Sequence, residues 1–253
     1  MAPAKTRHIT ILIDRSGSMS NIQDATQEGL NGFLAQQAKE SKETGVRTLV
    51  TLYHFDDVFE AVYEGVPIKE VRPYELEPRN STALLDALAE TFKRARARRK
   101  ALPKDQRPDI EHYLIVTDGM ENSSTTYRGR YTDVAEIVRT EAARKGRVVQ
   151  YMGANQDAIA EASKIGIAAT NAMSYSYNSV GTQGAWEGAT ASASAGLSGG
   201  SYDFTPQMRA KAMAEPPRKH PATFPPASGK GASLVNEDAL AGLVDKRQED
   251  EEE

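Results

Sequence analysis

The chain has no cysteine, which excludes a disulfide framework, a thiolate metal site and a cysteine nucleophile, so any bound metal must be held by oxygen or imidazole. Long hydrophobic runs are also missing. No window reaches the ~18 consecutive apolar residues of a transmembrane helix, and the opening stretch carries no signal-peptide cleavage pattern. A cytoplasmic protein with no membrane partner is therefore expected. Neither sign of charge dominates: 31 Lys and Arg stand against 35 Asp and Glu, for a net charge of -4, and nucleic acid is not an expected partner. Aromatic residues make up only 7% and tryptophan occurs once. Two nucleotide-binding signatures are absent as well: G-x-G-x-x-G and G-x-x-x-x-G-K-[ST]. What remains is a soluble-type composition over 253 residues, enough for one large α/β domain with an appendage.

From residue 8 to about residue 170, strand-length apolar segments alternate with segments of helical period. This pattern belongs to a doubly wound, mostly parallel sheet of about six strands with helices on both faces. His8 to Asp14 reads as the first strand. Ser20-x-x-Gln23 has the form of a capping box, and Ile22, Thr26, Leu30, Phe33, Leu34 and Gln37 then follow helical spacing. Arg47–Phe55 and Val58–Val66 read as an antiparallel hairpin at a sheet edge. Leu84, Leu85, Leu88 and Phe92 mark a second helix ending before Pro103, and His112–Thr117 a central strand. A helix over Thr132–Arg144, a strand over Val148–Met152, a short helix over Asp157–Ile165 and a weak strand near Ala168–Met173 follow, then a last helix from about Thr182 to Ala195. Six of the twelve prolines fall in the last fifty residues, and the sequence closes on QEDEEE. Residues 7–201 are thus expected to form the domain and residues 202–253 a disordered, acidic-ended tail, with one short helix, Asn236 to Lys246, inside it.

Ligands of open parallel sheets bind at the carboxyl ends of the strands. There the first strand ends in Asp14-Arg15-Ser16-Gly17-Ser18, the loop before the second helix supplies Asn80-Ser81-Thr82, and the central strand ends in Thr117-Asp118-Gly119. Three loops offer oxygen ligands only. Carboxylate and hydroxyl oxygens without cysteine or paired histidine suit a hard cation such as Mg²⁺.

Asp14-x-Ser16-x-Ser18, Thr82 opening a TALLDAL segment, and Asp118 in TDGMEN resemble the metal-ion-dependent adhesion site of von Willebrand factor type A domains. The resemblance covers residues 7 to about 200, and GANQDAIAEASKIGI at 153–167 is similar to bacterial and phage stand-alone members. It implies a Rossmann-like fold and a non-catalytic module. Ser16, Ser18 and Thr82 would touch Mg²⁺ or Mn²⁺, while Asp14 and Asp118 act largely through waters or by accepting hydrogen bonds from the serines. The partner would be a protein presenting Asp or Glu to the metal, such as an ATPase or an assembly component. Mostly neutral hydroxyl contacts leave the ion's charge poorly neutralised, which is the physical reason it would attract an external carboxylate.

Two rival readings stand beside this one. A metal-dependent phosphohydrolase would use Asp14 as nucleophile, but it needs an acid two residues later, and Ser16 cannot protonate a leaving group at neutral pH. A structural component would use the metal only to stabilise its loops. Plainer roles are also open to the individual residues: an N-capping turn for Asp14, Ser16 and Ser18, a helix cap for Thr82, a strand-ending turn for Asp118. Glu121 and Asn122 are rim candidates, Asp56 and Asp57 hairpin-turn residues, and His8, His54 and His112 packed or rim histidines. The basic run from Lys93 to Arg107 reads as a solvated helix end, or as a surface for nucleic acid, for an acidic partner or for the chain's own acidic terminus.

Overall fold

The structure, a computed structural model, describes residues 5–154 and 157–216. The strands are β1 (Thr6–Asp14), β2 (Arg47–Phe55), β3 (Phe59–Pro67), β4 (Ile110–Thr117), β5 (Arg147–Ala154) and β6 (Ala172–Tyr175). They form one sheet in the order β3-β2-β1-β4-β5-β6, parallel throughout except for β3, which pairs antiparallel with β2. The helices are α1 (Gln23–Thr44), α2 (Leu84–Ala101), α3 (Tyr131–Ala142), α4 (Ala158–Lys164), α5 (Ser179–Leu197) and α6 (Pro206–Ala212).

The two-residue period of each strand sorts its side chains between two cores. Ile9, Ile11 and Ile13 of β1 join Leu114 and Val116 of β4 under α1 and α5, whereas Leu12, Tyr113 and Ile115 face α2, α3 and α4. Both central strands are consequently buried almost end to end. The helical spacing of α1 is realised as read: Ile22, Thr26, Leu30, Phe33, Leu34 and Gln37 are all buried. Against it lies α5, whose Trp186 covers Gly29 so closely that a methyl group there would fall 2.1 Å from the indole ring.

Two expectations are corrected. Ser20 caps nothing in a helix, because a 3-10 segment, Gly17–Ile22, intervenes before α1 and the Ser20 hydroxyl donates back to the Gly17 carbonyl at 2.7 Å. Residues 202–216 are not tail. Phe204 and Ala212 belong to the core under α1 and α5, Met208 packs against it, and Thr205 caps α6. Clustered proline concealed this, since Pro206 occupies the first turn of a helix, where its missing N–H costs nothing. The rest of the expected tail, including the helix over Asn236–Lys246, lies outside the described residues.

Both sheet margins are blunted. The β2–β3 ladder has register irregularities between Val50 and Leu52 and between Leu52 and Tyr53. At the other edge, the Arg209 guanidinium of α6 donates to the carbonyls of Ala169, Thr170 and Ala172.

Candidate metal centre

Chain order reverses direction across the sheet between β1 and β4: β2 lies on one side of β1 and β4 on the other. The crevice at such a switch point is where open α/β sheets hold ligands. Asp14 ends β1 there and Thr117 ends β4.

The structure brings all five sequence-identified residues together. One Asp14 carboxylate oxygen accepts from the Ser16 amide at 2.7 Å and the other from the Thr117 hydroxyl at 2.5 Å. Ser16 Oγ and Ser18 Oγ are 3.1 Å apart, and Ser18 Oγ donates to Asp118 Oδ1 at 2.8 Å. Thr82 joins them across Gly119: a methyl group at that position would lie 3.0 Å from Thr82 Oγ1 and 3.7 Å from both Asp14 Oδ2 and Ser18 Oγ. The missing side chain of Gly119 therefore leaves a small hollow with three oxygens around it.

Local geometry releases these hydroxyls from the plainer duties. Ser16 makes no cap bond to the 3-10 turn that follows. The first amides of α2 are served by other residues, Leu85 N by Glu121 at 2.8 Å and Asp86 N by Ser124 at 3.1 Å, so the Thr82 hydroxyl is free for the hollow. Backbone bonds tie the three loops to one another: Arg79 N to Arg15 O at 2.7 Å, Gly17 N to Asn80 O at 3.0 Å, and Asn122 N to Thr82 O at 3.0 Å. The Asn122 side chain returns the last contact by accepting from Thr82 N at 2.8 Å. Glu121 and Asn122 thus fasten the loops beside the cluster. Thr117 and Gly119 are legible in the sequence only as the strand end on either side of Asp118, and nothing there marks Tyr177, which donates its hydroxyl to the Ser18 carbonyl.

The electrostatics ask for a cation. Asp14 is fully buried and Asp118 is 7% exposed, and among the described residues no Lys, Arg or His forms an ion pair with either. Burial pushes the Asp14 carboxyl up to about 6; hydrogen bonds from Thr117 and Ser16 oppose this, and the neighbouring Asp118 adds to it. Burial likewise raises Asp118, whose Oδ2 has no hydrogen-bond partner. Burial of two carboxylates side by side disfavours their charged forms, a penalty that a bound cation would offset. No group of three or more His, Asp or Glu suited to a metal occurs among the described residues, so a cation here would need the hydroxyls. The donor set of two carboxylates and three hydroxyls fits a hard divalent ion.

Elsewhere most of the charged residues read from the sequence are engaged. Asp56 is a buried hub and not a plain turn residue: it pairs with Arg15 at 3.1 Å and Arg79 at 2.5 Å while accepting from Val58 N at 2.7 Å. His8 and His112 are packed against Thr51 and Gln150, and burial lowers them to about 3 and about 4 respectively, so both are neutral. His54 lies against Arg15 and Tyr74. In the basic run, Lys93 and Arg94 pair with Glu90, Arg96 with Glu141 and Arg99 with Glu111, so four of its eight cations have a carboxylate partner.

No protein-family model matches the chain, and no curated protein does. Solved structures do match. The chain is similar to the PilB minor pilin from Streptococcus sanguinis, with a TM-score of 0.54 and 11% identity over 77% of this chain and 62% of that one. It is also similar to proximal thread matrix protein 1 from the mussel byssus, solved with a zinc-occupied MIDAS motif, with a TM-score of 0.50 and 15% identity over 76% of this chain and 46% of that one. A von Willebrand factor type A protein from Catenulispora acidiphila matches at a TM-score of 0.48 and 16% identity over 76% of this chain and 43% of that one. The chain thus spans less than half of the mussel and Catenulispora proteins and under two thirds of the pilin. With six strands in this order, one of them antiparallel at the edge, and helices on both faces, the chain is a doubly wound α/β domain that shares its fold with the pilin and with the mussel protein that carries a MIDAS motif.

Proposed function

We propose that this domain is a non-catalytic protein-binding module. In it Asp14, Ser16, Ser18, Thr82 and Asp118 hold Mg²⁺ or Mn²⁺, and the cation takes a carboxylate from a partner protein. The observation that carries this reading is the pair of buried carboxylates without a basic partner, clustered with the Ser16, Ser18 and Thr82 hydroxyls beside the Gly119 hollow. When bound, the ion supplies Lewis acidity to an incoming oxygen ligand. Ser16, Ser18 and Thr82 contribute no charge, so the ion keeps most of its own and favours an anionic ligand. Asp14 and Asp118 orient the hydroxyls and offset part of that charge. The zinc-occupied motif of the mussel protein supports the general capacity of this fold for a divalent ion, while the all-oxygen donor set favours harder Mg²⁺ or Mn²⁺ here.

The absence of a second carboxylate at position 16 speaks against phosphoryl transfer. Calorimetric titration of Mg²⁺, Mn²⁺ and Zn²⁺ into the wild type and Ser16→Ala tests the ion. Affinity capture in Mg²⁺ or chelator, with the same two proteins, tests the partner. Expected is uptake of Mg²⁺ or Mn²⁺ that Ser16→Ala weakens, and capture lost in both the chelated and mutant samples. No ion uptake, or phosphatase turnover that disappears in Asp14→Ala, overturns the reading.

A further inference from the structure

At the end of the sheet opposite the oxygen cluster, a groove runs between the C-terminal half of α1 and the strap over residues 67–73 that follows β3. It consists of two hollows of about 820 and about 260 Å³ that meet at Ala38, Ile68 and Lys69. Arg47, on its wall, begins β2, whereas Phe55, which ends β2, is paired with Asp14. The groove therefore lies roughly 25 Å from the candidate metal centre along that strand. Its floor is apolar. The α1 wall carries the small residues Ala35 and Ala38, while the strap contributes Ile68, which is seated in the core, and Val71, which packs against it. Val46 lines the far end.

The rim has one dominant sign of charge. Lys39 and Lys42 stand on α1, Lys69 and Arg72 on the strap and Arg47 at the end of the groove, and Glu70 is the one acid among the lining residues. Among the described residues Lys42, Arg47 and Arg72 form no ion pair. Lys39 and Lys69 reach only exposed carboxylates, Glu43 at 4.0 Å and Glu70 at 3.7 Å, and such pairs are weak in water. In a chain whose net charge is -4, five cations around one apolar furrow reverse the sign locally. The negative end of the α1 dipole opposes an anion here, but it acts only over the last turn, where Lys42 offsets it.

We propose that this groove docks an extended peptide segment of a partner protein in which acidic and apolar residues alternate. An extended chain sends successive side chains to opposite faces, so every second residue lies on the floor while those between present carboxylates to the cations on both walls. The furrow follows α1 from Asn31 to Gly45, about 21 Å, the span of about six extended residues. A nucleic acid strand would use the rim and leave the floor in water, and a purely apolar segment would leave the cations unanswered. This surface stands independently of the metal-and-carboxylate reading above.

The test uses the ¹⁵N-labelled full chain in chelator, which keeps peptide carboxylates from any ion at the strand ends. Three peptides, Ac-Leu-Glu-Val-Glu-Leu-Glu-NH₂, Ac-Ser-Glu-Ser-Glu-Ser-Glu-NH₂ and Ac-Leu-Lys-Val-Lys-Leu-Lys-NH₂, and an oligothymidylate are titrated at low and high salt and followed by amide shifts. The leucine–glutamate peptide is expected to bind at least about 10-fold tighter than the serine–glutamate peptide, to weaken in high salt, and to shift the amides of Ala38, Gly45 and Ile68. The lysine peptide leaves them in place. Lys42→Glu combined with Arg47→Glu, both exposed positions, lowers the affinity by about 10-fold, while Lys100→Glu combined with Lys104→Glu, an equal change of charge on another surface, leaves it unchanged. The proposal is overturned by equal binding of the serine–glutamate peptide, by equal loss in the two charge-reversed proteins, by tighter binding of the oligothymidylate, or by no saturation up to about 1 mM of the leucine–glutamate peptide.

Discussion

Replacement of Gly119 by alanine isolates the hollow from the fold. The backbone at Gly119 is not in the left-handed region, so an L side chain adds no conformational strain there. The added carbon would stand 3.0 Å from Thr82 Oγ1 and 3.7 Å from Asp14 Oδ2 and Ser18 Oγ. Only the first of these contacts is tight, and a retreat of Thr82 by a few tenths of an ångström relieves it. The stability cost is therefore about 1 kcal/mol or less, at the low end of overpacking, or roughly 2 to 4 °C in Tm for a domain of this size. A divalent ion is less forgiving. Mg²⁺ demands oxygens at about 2.0 to 2.1 Å in near-octahedral order, and a methyl group among three of its candidate ligands displaces either Thr82 or a coordinated water. Mg²⁺ affinity is expected to fall by about 10- to 100-fold, the loss typical of disturbed metal surroundings. Calorimetric Mg²⁺ titration and thermal unfolding on the same samples separate the two effects. Wild-type Mg²⁺ affinity in Gly119→Ala would refute the reasoning, because the ion would then sit somewhere other than this hollow.

Three more predictions follow from the packing and charge. In chelator, stability should decline as pH rises from about 4 to about 7: Asp14 has its folded value raised to about 6 from 3.8, so its contribution is full below 3.8 and lost through 6. The loss is up to about 3 kcal/mol, read by urea unfolding at several pH values, and flat or rising stability would count against the buried, unpaired charge. Gly29→Ala and Gly32→Ala lie on the same helix but should have opposite effects. The first drives a methyl into Trp186 at 2.1 Å, whereas the second meets nothing within 4 Å. Thermal unfolding should show a loss of about 1 to 3 kcal/mol for the first and a gain of about 0.5 to 1 kcal/mol for the second. Phe204→Ala should cost about 3 kcal/mol in chemical denaturation, since Phe204 is 4% exposed; a negligible change would return residues 202–216 to the tail.

The sheet and most helices are legible because burial on both faces makes β1, β4 and β5 nearly continuous apolar runs, while α1 and α2 each bury one stripe. The five clustered site residues are legible for a different reason: carboxylates and hydroxyls at strand ends mark where the topology converges, wherever the strands themselves fall. The misreadings share a cause. Ser20 and Gln23 match a capping box only if a helix starts there, and the 3-10 turn that carries Ser18 toward Asp118 takes that place. Residues 202–216 run into the proline cluster and read as part of it, yet Phe204 and Ala212 find a core whose other members lie elsewhere in the chain. Thr117 looked like the last residue of a strand. Its bond to Asp14 depends on the pairing of β1 with β4, a contact between residues 103 apart.

The treatment of the sheet margins bears on how copies of this protein behave at high concentration. Unpaired strands with free amides and carbonyls recruit their like and grow into fibres. Here one border strand pairs with irregular register, and at the other a guanidinium occupies the carbonyl of Ala172, where the edge strand begins. On the proposed function, a domain with an adhesive spot at its strand ends is thereby kept from becoming adhesive along its sides as well.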